Sequence, residues 1–245
     1  MLPWTTYGGG KMSLFGRSRR SGDDGSSWDR VERRRMVESQ LRPRGIRDER
    51  VLEAMERIPR HLFVQESQYR EAYTDRALPS CEGQTISQPY MVALMTECLV
   101  LQGHEKVLEI GTGTGYQTAI LCELCREVWS VEQNRRLADE AETRLREMGY
   151  GNVRIRCEDG STGWPEGAPF GGVLVTAGAP SVPPPIIEQT EPGGRIVIPV
   201  GGRREQVLQV VTKGLRPQET RVKNVCGCVF VPLLGEYGWT GSNAH

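Results

Sequence analysis

The sequence predicts an α/β fold. We expect a doubly wound, mostly parallel, seven-stranded sheet with an N-terminal helical extension and an antiparallel terminal hairpin. Three observations predict it. From Glu105 onward, apolar runs that read as strands alternate with segments of helical periodicity. The first of these runs ends in a glycine turn that opens directly into a helix. The last two runs have no clear helix between them and join through Gly214 and Pro217, so they close the sheet as a hairpin.

The elements follow in chain order. Residues 1–27 are rich in Gly, Ser and Arg and read as a disordered leader. Met12 is a candidate true start, and Arg17, Arg19 and Arg20, followed at once by Asp23 and Asp24, read as a solvated tail. A single domain is expected over 28–235, its helical part at 28–104 and its sheet part at 105–235. Val31–Leu41 and Asp48–Ile58 read as amphipathic helices. Asp48 can cap the second, which buries Val51, Leu52 and Met55 on one face and stops at Pro59. Pro89 opens a helix to about Leu101. Strands are expected near 107–110, 128–131, 153–157, 172–176, 195–200, 207–212 and 225–231. A helix runs from Tyr116 to Leu124. Another follows Asn134, with Leu137, Ala141, Leu145 and Met148 on one face and Gly149 as its C-terminal stop. Residues 236–245 read as a loose tail.

Composition excludes several classes. Among 245 residues, 31 basic and 31 acidic side chains cancel, so no global field points to nucleic acid or a membrane surface. No apolar run approaches the ~20 residues of a spanning helix, and no secretory h-region is present. Seven scattered cysteines fit reduced thiols and a cytoplasmic location better than a disulfide frame. Cys122 and Cys125 fall inside a helix, Cys226 and Cys228 inside a strand, and all four read as packing residues. Three dispersed histidines give no metal site.

The glycine turn carries the first chemistry. Val107-Leu-Glu-Ile-Gly-Thr-Gly-Thr-Gly-Tyr-Gln117 places Gly111, Gly113 and Gly115 at alternate positions after a buried strand bearing Glu109. Backbone without Cβ can turn tightly and approach a ligand closely. A dinucleotide fingerprint needs a small residue where Tyr116 stands, so a nicotinamide oxidoreductase fits poorly. The acid-x-G-x-G-x-G spacing is similar to the cofactor motif of S-adenosylmethionine-dependent methyltransferases, and a ligand-free turn is the alternative. Glu132 ends the second strand about twenty positions after the loop, where an acid can accept both ribose hydroxyls. The alternative is a surface carboxylate. Asp159-Gly160 follows the third strand and reads equally as an adenine contact or an Asp-Gly turn. Thr176-Ala-Gly-Ala-Pro180 follows the fourth, without the Asn-Pro-Pro-aromatic pattern of amino-group methylation.

A second unusual segment lies upstream, Gly83-Gln-Thr-Ile-Ser-Gln-Pro-Tyr-Met91. Thr85 and Ser87 precede a helix start, where hydroxyls and free N–H groups make an anion site. Ser87 reads equally well as a helix N-cap.

These two segments together resemble the protein-L-isoaspartate O-methyltransferase family. Arg44-Gly-Ile-Arg-Asp48, Val51-Leu-Glu-Ala-Met55, Ile58-Pro-Arg-His-Leu-Phe-Val64, Ala72-Tyr-Thr-Asp75 and Phe230-Val-Pro-Leu233 extend the resemblance over residues 30–235. The resemblance implies a Rossmann-like methyltransferase fold. It implies transfer of methyl from S-adenosyl-L-methionine to the free α-carboxylate of L-isoaspartyl residues, leaving S-adenosyl-L-homocysteine. The ester then re-forms a succinimide, which hydrolyses in part to normal aspartate. Ser87 maps to the family's active-site residue, and Thr85 with Ser87 to acceptor binding. Gln84, Thr85, Ile86, Ser87, Glu109, Gly111, Thr112, Gly113, Thr114, Gly115, Glu132, Gln133, Asp159 and Gly160 map to cofactor contacts. No metal is implied. The partners implied are isoaspartyl proteins and peptides, without nucleic acid or membrane, and a monomer is expected. Ser80-Cys81 and Gly171-Gly172 depart from the family pattern, the first beside the acceptor loop, the second at the start of a strand.

A carboxylate with pKa near ~4 is ionised at neutral pH and needs no general base. Ser87 is therefore expected to orient the acceptor by hydrogen bonding. Two alternatives stand beside this reading. One is a methyltransferase of the same fold with a small-molecule acceptor. The other is a non-catalytic module that binds a partner protein with the cofactor.

Overall fold

The computed structural model describes residues 25–216 and 219–240. The expectations for the leader up to residue 24, Met12 and its basic run, Pro217 and residues 241–245 lie outside these residues. In chain order the elements are α1 (Gly25–Met36), α2 (Glu49–Arg57), β1 (Leu78–Pro79), β2 (Thr85–Ile86), α3 (Pro89–Leu99), β3 (Lys106–Ile110), α4 (Tyr116–Leu124), β4 (Glu127–Glu132), α5 (Arg135–Glu147), β5 (Val153–Cys157), β6 (Phe170–Val175), α6 (Pro184–Gln189), β7 (Thr190–Gly201), β8 (Gln206–Lys213) and β9 (Thr220–Cys228). Seven strands form one sheet in the order β5-β4-β3-β6-β7-β8-β9. The first five run parallel, and β8 lies antiparallel to both β7 and β9.

Local chemistry sets the helix ends. Asp48 caps α2 by accepting from the Arg50 N–H at 3.0 Å, and Asn134 caps α5 by accepting from the Leu137 N–H at 3.2 Å. At the far end of α5 Gly149 takes φ +89°. The Tyr150 and Gly149 N–H groups then satisfy the carbonyls of Leu145 and Arg146, both at 3.0 Å. Leu137, Ala141 and Leu145 are buried, as their spacing predicts. The first helix differs from expectation. It starts at Gly25, inside the segment read as leader, and passes into a π-helical turn over Val37–Leu41.

Both faces of the sheet are covered, as a parallel sheet requires. Val107, Val128, Leu174 and Val197 pack with α1–α4 on one face. Leu108, Ile110, Val131, Val173, Ile196 and Ile198 pack with α6 on the other. The pair Gly171-Gly172 sits where the β6–β7 register slips, between Phe170 and Gly172. A Cβ on Gly171 would approach Glu105 at 3.1 Å.

Two expectations are corrected at the C-terminal side. The last strand occupies Thr220–Cys228, not 225–231. Its pairing runs the whole length of β8, from Gln206↔Cys228 to Lys213↔Thr220, so the hairpin turn decides its limits. Its exposed polar start hides it from a search for apolar runs. Residues 236–239, read as loose, are tied down. The Glu236 N–H donates to Asp159 at 2.8 Å, the Tyr237 N–H to Ser161 Oγ at 3.0 Å, and Trp239 Nε1 to the Gly178 carbonyl at 3.1 Å.

All seven cysteines are free thiols. Burial raises the pKa of Cys122, and that of Cys125 to about 12, so neither is a nucleophile at neutral pH.

Glu109 is the unexpected core residue. It is fully buried in β3, opposite Ser130 of β4. Its Oε2 accepts from the hydroxyls of Thr118 and Ser130, each at 2.6 Å, and its Oε1 has no partner among the described residues. Burial raises its pKa from 4.5 to about 8, so the folded state holds a neutral acid at pH 7. The unfolded chain releases that proton near pH 4.5. Rising pH therefore favours the unfolded state across the window from 4.5 to about 8. We predict that Glu109→Gln gains stability over the wild type as pH rises from 5 to 8, by up to ~1 kcal/mol per pH unit. Denaturant midpoints at both pH values test this; an equal difference at the two contradicts it.

Candidate active site

The site forms beyond the carboxyl ends of β3, β4 and β6, where ligands bind in open α/β sheets. The chain leaves β3 at Gly111 with φ +96°. The Gly111 N–H donates to the Val131 carbonyl at 2.8 Å. From the other side the Thr176 hydroxyl donates to the Gly111 carbonyl at 2.7 Å. A Cβ on Gly111 would lie 2.2 Å from that hydroxyl oxygen, so only glycine fits. At Gly113, φ is +54° and a Cβ would meet nothing within 4 Å, which leaves the backbone bare toward the cavity.

Buried groups brace this loop. Thr112 Oγ1 and Ser130 Oγ share a hydrogen bond of 2.6 Å, and Ser130 in turn donates to Glu109. Glu132 accepts from the Gly113 N–H and the Asn134 N–H, each at 2.9 Å. Each carboxylate oxygen keeps a free lone pair for a further donor.

The second wall is the loop from β1 to α3. Leu78 pairs with Ile86 and Pro79 with Thr85 in a short antiparallel ladder that sequence periodicity does not announce. The hairpin tip closes through Ser80 N–H to the Gln84 carbonyl at 2.8 Å, with Glu82 at φ +57° and Gly83 at +67°. Gln88 is the N-cap of α3, and no side-chain hydrogen bond caps the helix. Ser87 precedes it, so the capping reading of its hydroxyl does not hold.

These walls enclose a cavity of about 470 Å³. Gln84, Thr85, Ile86 and Ser87 line one side; Gly111, Thr112, Gly113 and Thr114 line the floor; Glu132, Gln133 and Gly160 complete the far side. Thr176 lines the rim. Three sequence-proposed residues lie outside the lining. Glu109 acts on the loop from below, through Ser130. Gly115, at φ +87°, is the N-cap of α4 and faces Ala141 and Leu145. Asp159 Oδ1 accepts from the Ser161 N–H at 2.8 Å and the Ser161 hydroxyl at 2.7 Å, while Oδ2 holds the Glu236 N–H. Asp159 thus makes the hydrogen bonds of a turn, and its neighbour Gly160 lines the cavity.

The sequence reading missed the segment 227–234 as a wall of the cavity. It leaves β9 and bridges to the loop after β6 through Gly178 N–H to the Val231 carbonyl and Leu233 N–H to the Gly178 carbonyl, both 2.8 Å. Its apolar residues carry no chemical signature. Among the described residues no cluster of three His, Cys, Asp or Glu side chains forms, and no helix is long and apolar enough to cross a membrane.

We predict that Gly111→Ala displaces Thr176 and weakens S-adenosylhomocysteine binding at least ~10-fold, on the scale of the 1–3 kcal/mol of left-handed strain. Calorimetric titration measures it; unchanged affinity contradicts the assigned role of the turn.

Known proteins resemble this chain in sequence and fold. A sequence model of the protein-L-isoaspartate(D-aspartate) O-methyltransferase family matches residues 32–238. A protein-L-isoaspartate O-methyltransferase of Syntrophus aciditrophicus is 56% identical over 211 residues, spanning 86% of this chain and 97% of that relative. One from Syntrophobacter fumaroxidans is 53% identical over 209 residues, spanning 85% and 97%. A solved protein-L-isoaspartate O-methyltransferase superposes with TM-score 0.76 at 30% identity, over 84% of this chain and 67% of that one. A Plasmodium falciparum structure described as a β-aspartate methyltransferase with S-adenosyl-L-homocysteine shares the fold, with TM-score 0.71 at 22% identity over 82% and 98%. With the family matched along nearly the whole described chain and relatives above half identity, this chain belongs to the protein-L-isoaspartate (D-aspartate) O-methyltransferase family.

Proposed function

We propose that this chain methylates the free α-carboxylate of L-isoaspartyl residues in damaged proteins and peptides, and that Ser87 holds that carboxylate at the point of transfer. The observation that carries the reading is the convergence of two loops on one cavity: Gln84–Ser87 on one wall and Gly111–Thr114 on the floor. The cavity residues suit S-adenosyl-L-methionine. The bare backbone at Gly113 admits close approach, and Glu132 has acceptor capacity left for ribose hydroxyls. When bound, S-adenosyl-L-methionine supplies a methyl group on an electrophilic sulfonium, whose S–CH3 bond breaks as the carboxylate oxygen forms its C–O bond.

The chain's own part is positioning. The acceptor is already ionised, so no side chain need take a proton. Ser87 can donate its hydroxyl to one carboxylate oxygen, and Thr85 can position the peptide beside it. The 227–234 segment adds apolar side chains to the cavity lining, and an apolar lining that keeps water away strengthens polar contacts inside. In this reading the enzyme works as a monomer in the cytoplasm, without nucleic acid or membrane; seven free thiols suit a reducing compartment.

With labelled S-adenosylmethionine, a peptide containing one L-isoaspartate should take up base-labile label while its aspartyl twin takes up none. Label on both, or on neither with cofactor binding intact, overturns the reading. Ser87→Ala should lower turnover by ~10- to 100-fold, in the range of one lost positioning hydrogen bond to a charged group. S-adenosylhomocysteine affinity should stay within about twofold. Unchanged turnover removes Ser87 from the mechanism.

A further inference from the structure

Arg60 has no part in the reading above, yet it is the largest of the fully buried side chains. Its Nε donates to the Ala72 carbonyl at 2.7 Å and its Nη2 to the Ser87 carbonyl at 2.8 Å. Its Nη1 is buried without a partner among the described residues. The guanidinium lies over the Tyr116 ring, 4.8 Å from the centroid. Buried arginines are ordinarily paired with an acid. Here the neighbours that bear on its charge are Tyr116 and Tyr73, both neutral phenols, and Arg60 forms no ion pair among the described residues. Burial pulls its pKa down to about 10, so it stays charged at neutral pH.

The placement of this charge matters. The two groups Arg60 holds at the site, the Ser87 backbone and the Tyr116 ring, both belong to residues lining the cavity. Of the charged groups lining the same cavity, Asp75 pairs with Arg44 and Arg76 with Glu71, while Glu132, on the far side, keeps its charge and binds the amides of Gly113 and Asn134. The Arg60 charge, without an ion-pair partner among the described residues, stands one peptide group behind the Ser87 hydroxyl. In low dielectric such a charge acts over several ångströms.

We propose that Arg60 is the buried counter-charge that makes the acceptor site prefer a carboxylate over its neutral ester or amide. This rests on the reading that Ser87 holds the acceptor. The acceptor enters as an anion and leaves as a neutral ester. A fixed positive charge thus tightens binding of the acid and loosens binding of the product. Because the acceptor's charge is already fading in the transition state, the charge favours the ground state and acts on KM more than on kcat. Arg60 touches no reacting atom and is a positioning and specificity residue.

The test is equilibrium binding to the S-adenosylhomocysteine-loaded protein, with an L-isoaspartyl peptide and its isoasparaginyl amide as probes. Arg60→Gln should raise Kd for the acid at least ~10-fold and move Kd for the amide by less than ~2-fold, since only the acid meets the lost charge. Arg60→Lys, which keeps the charge and loses the fork to two carbonyls, should restore the acid to within ~3-fold. Equal weakening of both peptides, or failure of Lys to rescue, reduces Arg60 to a packing role and overturns the proposal. Should Arg60→Gln fail to fold, the wild-type protein still decides. It should bind the acid at least ~10-fold tighter than the methyl ester, and equal affinities overturn the proposal. If the wild type holds S-adenosylhomocysteine but binds neither peptide, the acceptor reading fails as well; if it binds and methylates the acid without discriminating charge, Arg60 alone is wrong.

Discussion

The site depends on one turn. At Gly111 the chain must leave the central strand β3 with a left-handed backbone while β4 and β6 press on both sides. The Val131 carbonyl accepts from the Gly111 N–H, and the Gly111 carbonyl accepts from the Thr176 hydroxyl. That stitching fixes the direction of Thr112 to Thr114, and with it the cavity floor. Gly113 can then present bare backbone, and Glu132 can reach its N–H. Without the turn the second loop, at Ser87, would face no partner.

Charge is distributed with the same economy. The acids near the loop hold backbone or hydroxyl groups: Glu109 braces the loop through Ser130, Glu132 holds two amides, and Asp159 secures the C-terminal segment. The buried charge next to the Ser87 wall is positive, on Arg60. An anionic acceptor and a site built by positioning suit this distribution, because no side chain is needed to remove a proton. In the proposed reading, discrimination comes from shape, from the Ser87 hydroxyl and from the charge behind it.

Much of this is legible in the sequence, and the remainder fails for physical reasons. The glycine spacing, the strand ends and the capped helix α5 carry strong local signals, and α4 spans Tyr116–Leu124 as its periodicity indicates. The first half of strand β9 is hidden because an edge strand with one wet face need not be apolar. Asp159 cannot be resolved from sequence, since an Asp-Gly pair serves a turn and a ligand equally well, and its partner Glu236 is distant in the chain. Ser87 is ambiguous for the same reason, and only the start of α3 at Pro89 separates capping from exposure. Nothing local in the sequence marks Arg60 as buried. Its burial is a tertiary fact, set by α4 and the carbonyls of Ala72 and Ser87.

The central claim is that the site positions an acceptor already ionised and supplies no base. The most direct measurement is the pH dependence of kcat for an L-isoaspartyl peptide, followed as S-adenosylhomocysteine release so that ester breakdown does not interfere. The account predicts a plateau from about pH 6 to about pH 9, because the acceptor pKa near ~4 lies well below that window. A rising limb within that window, lost on mutation of a cavity side chain, would show a general base at work and contradict the account.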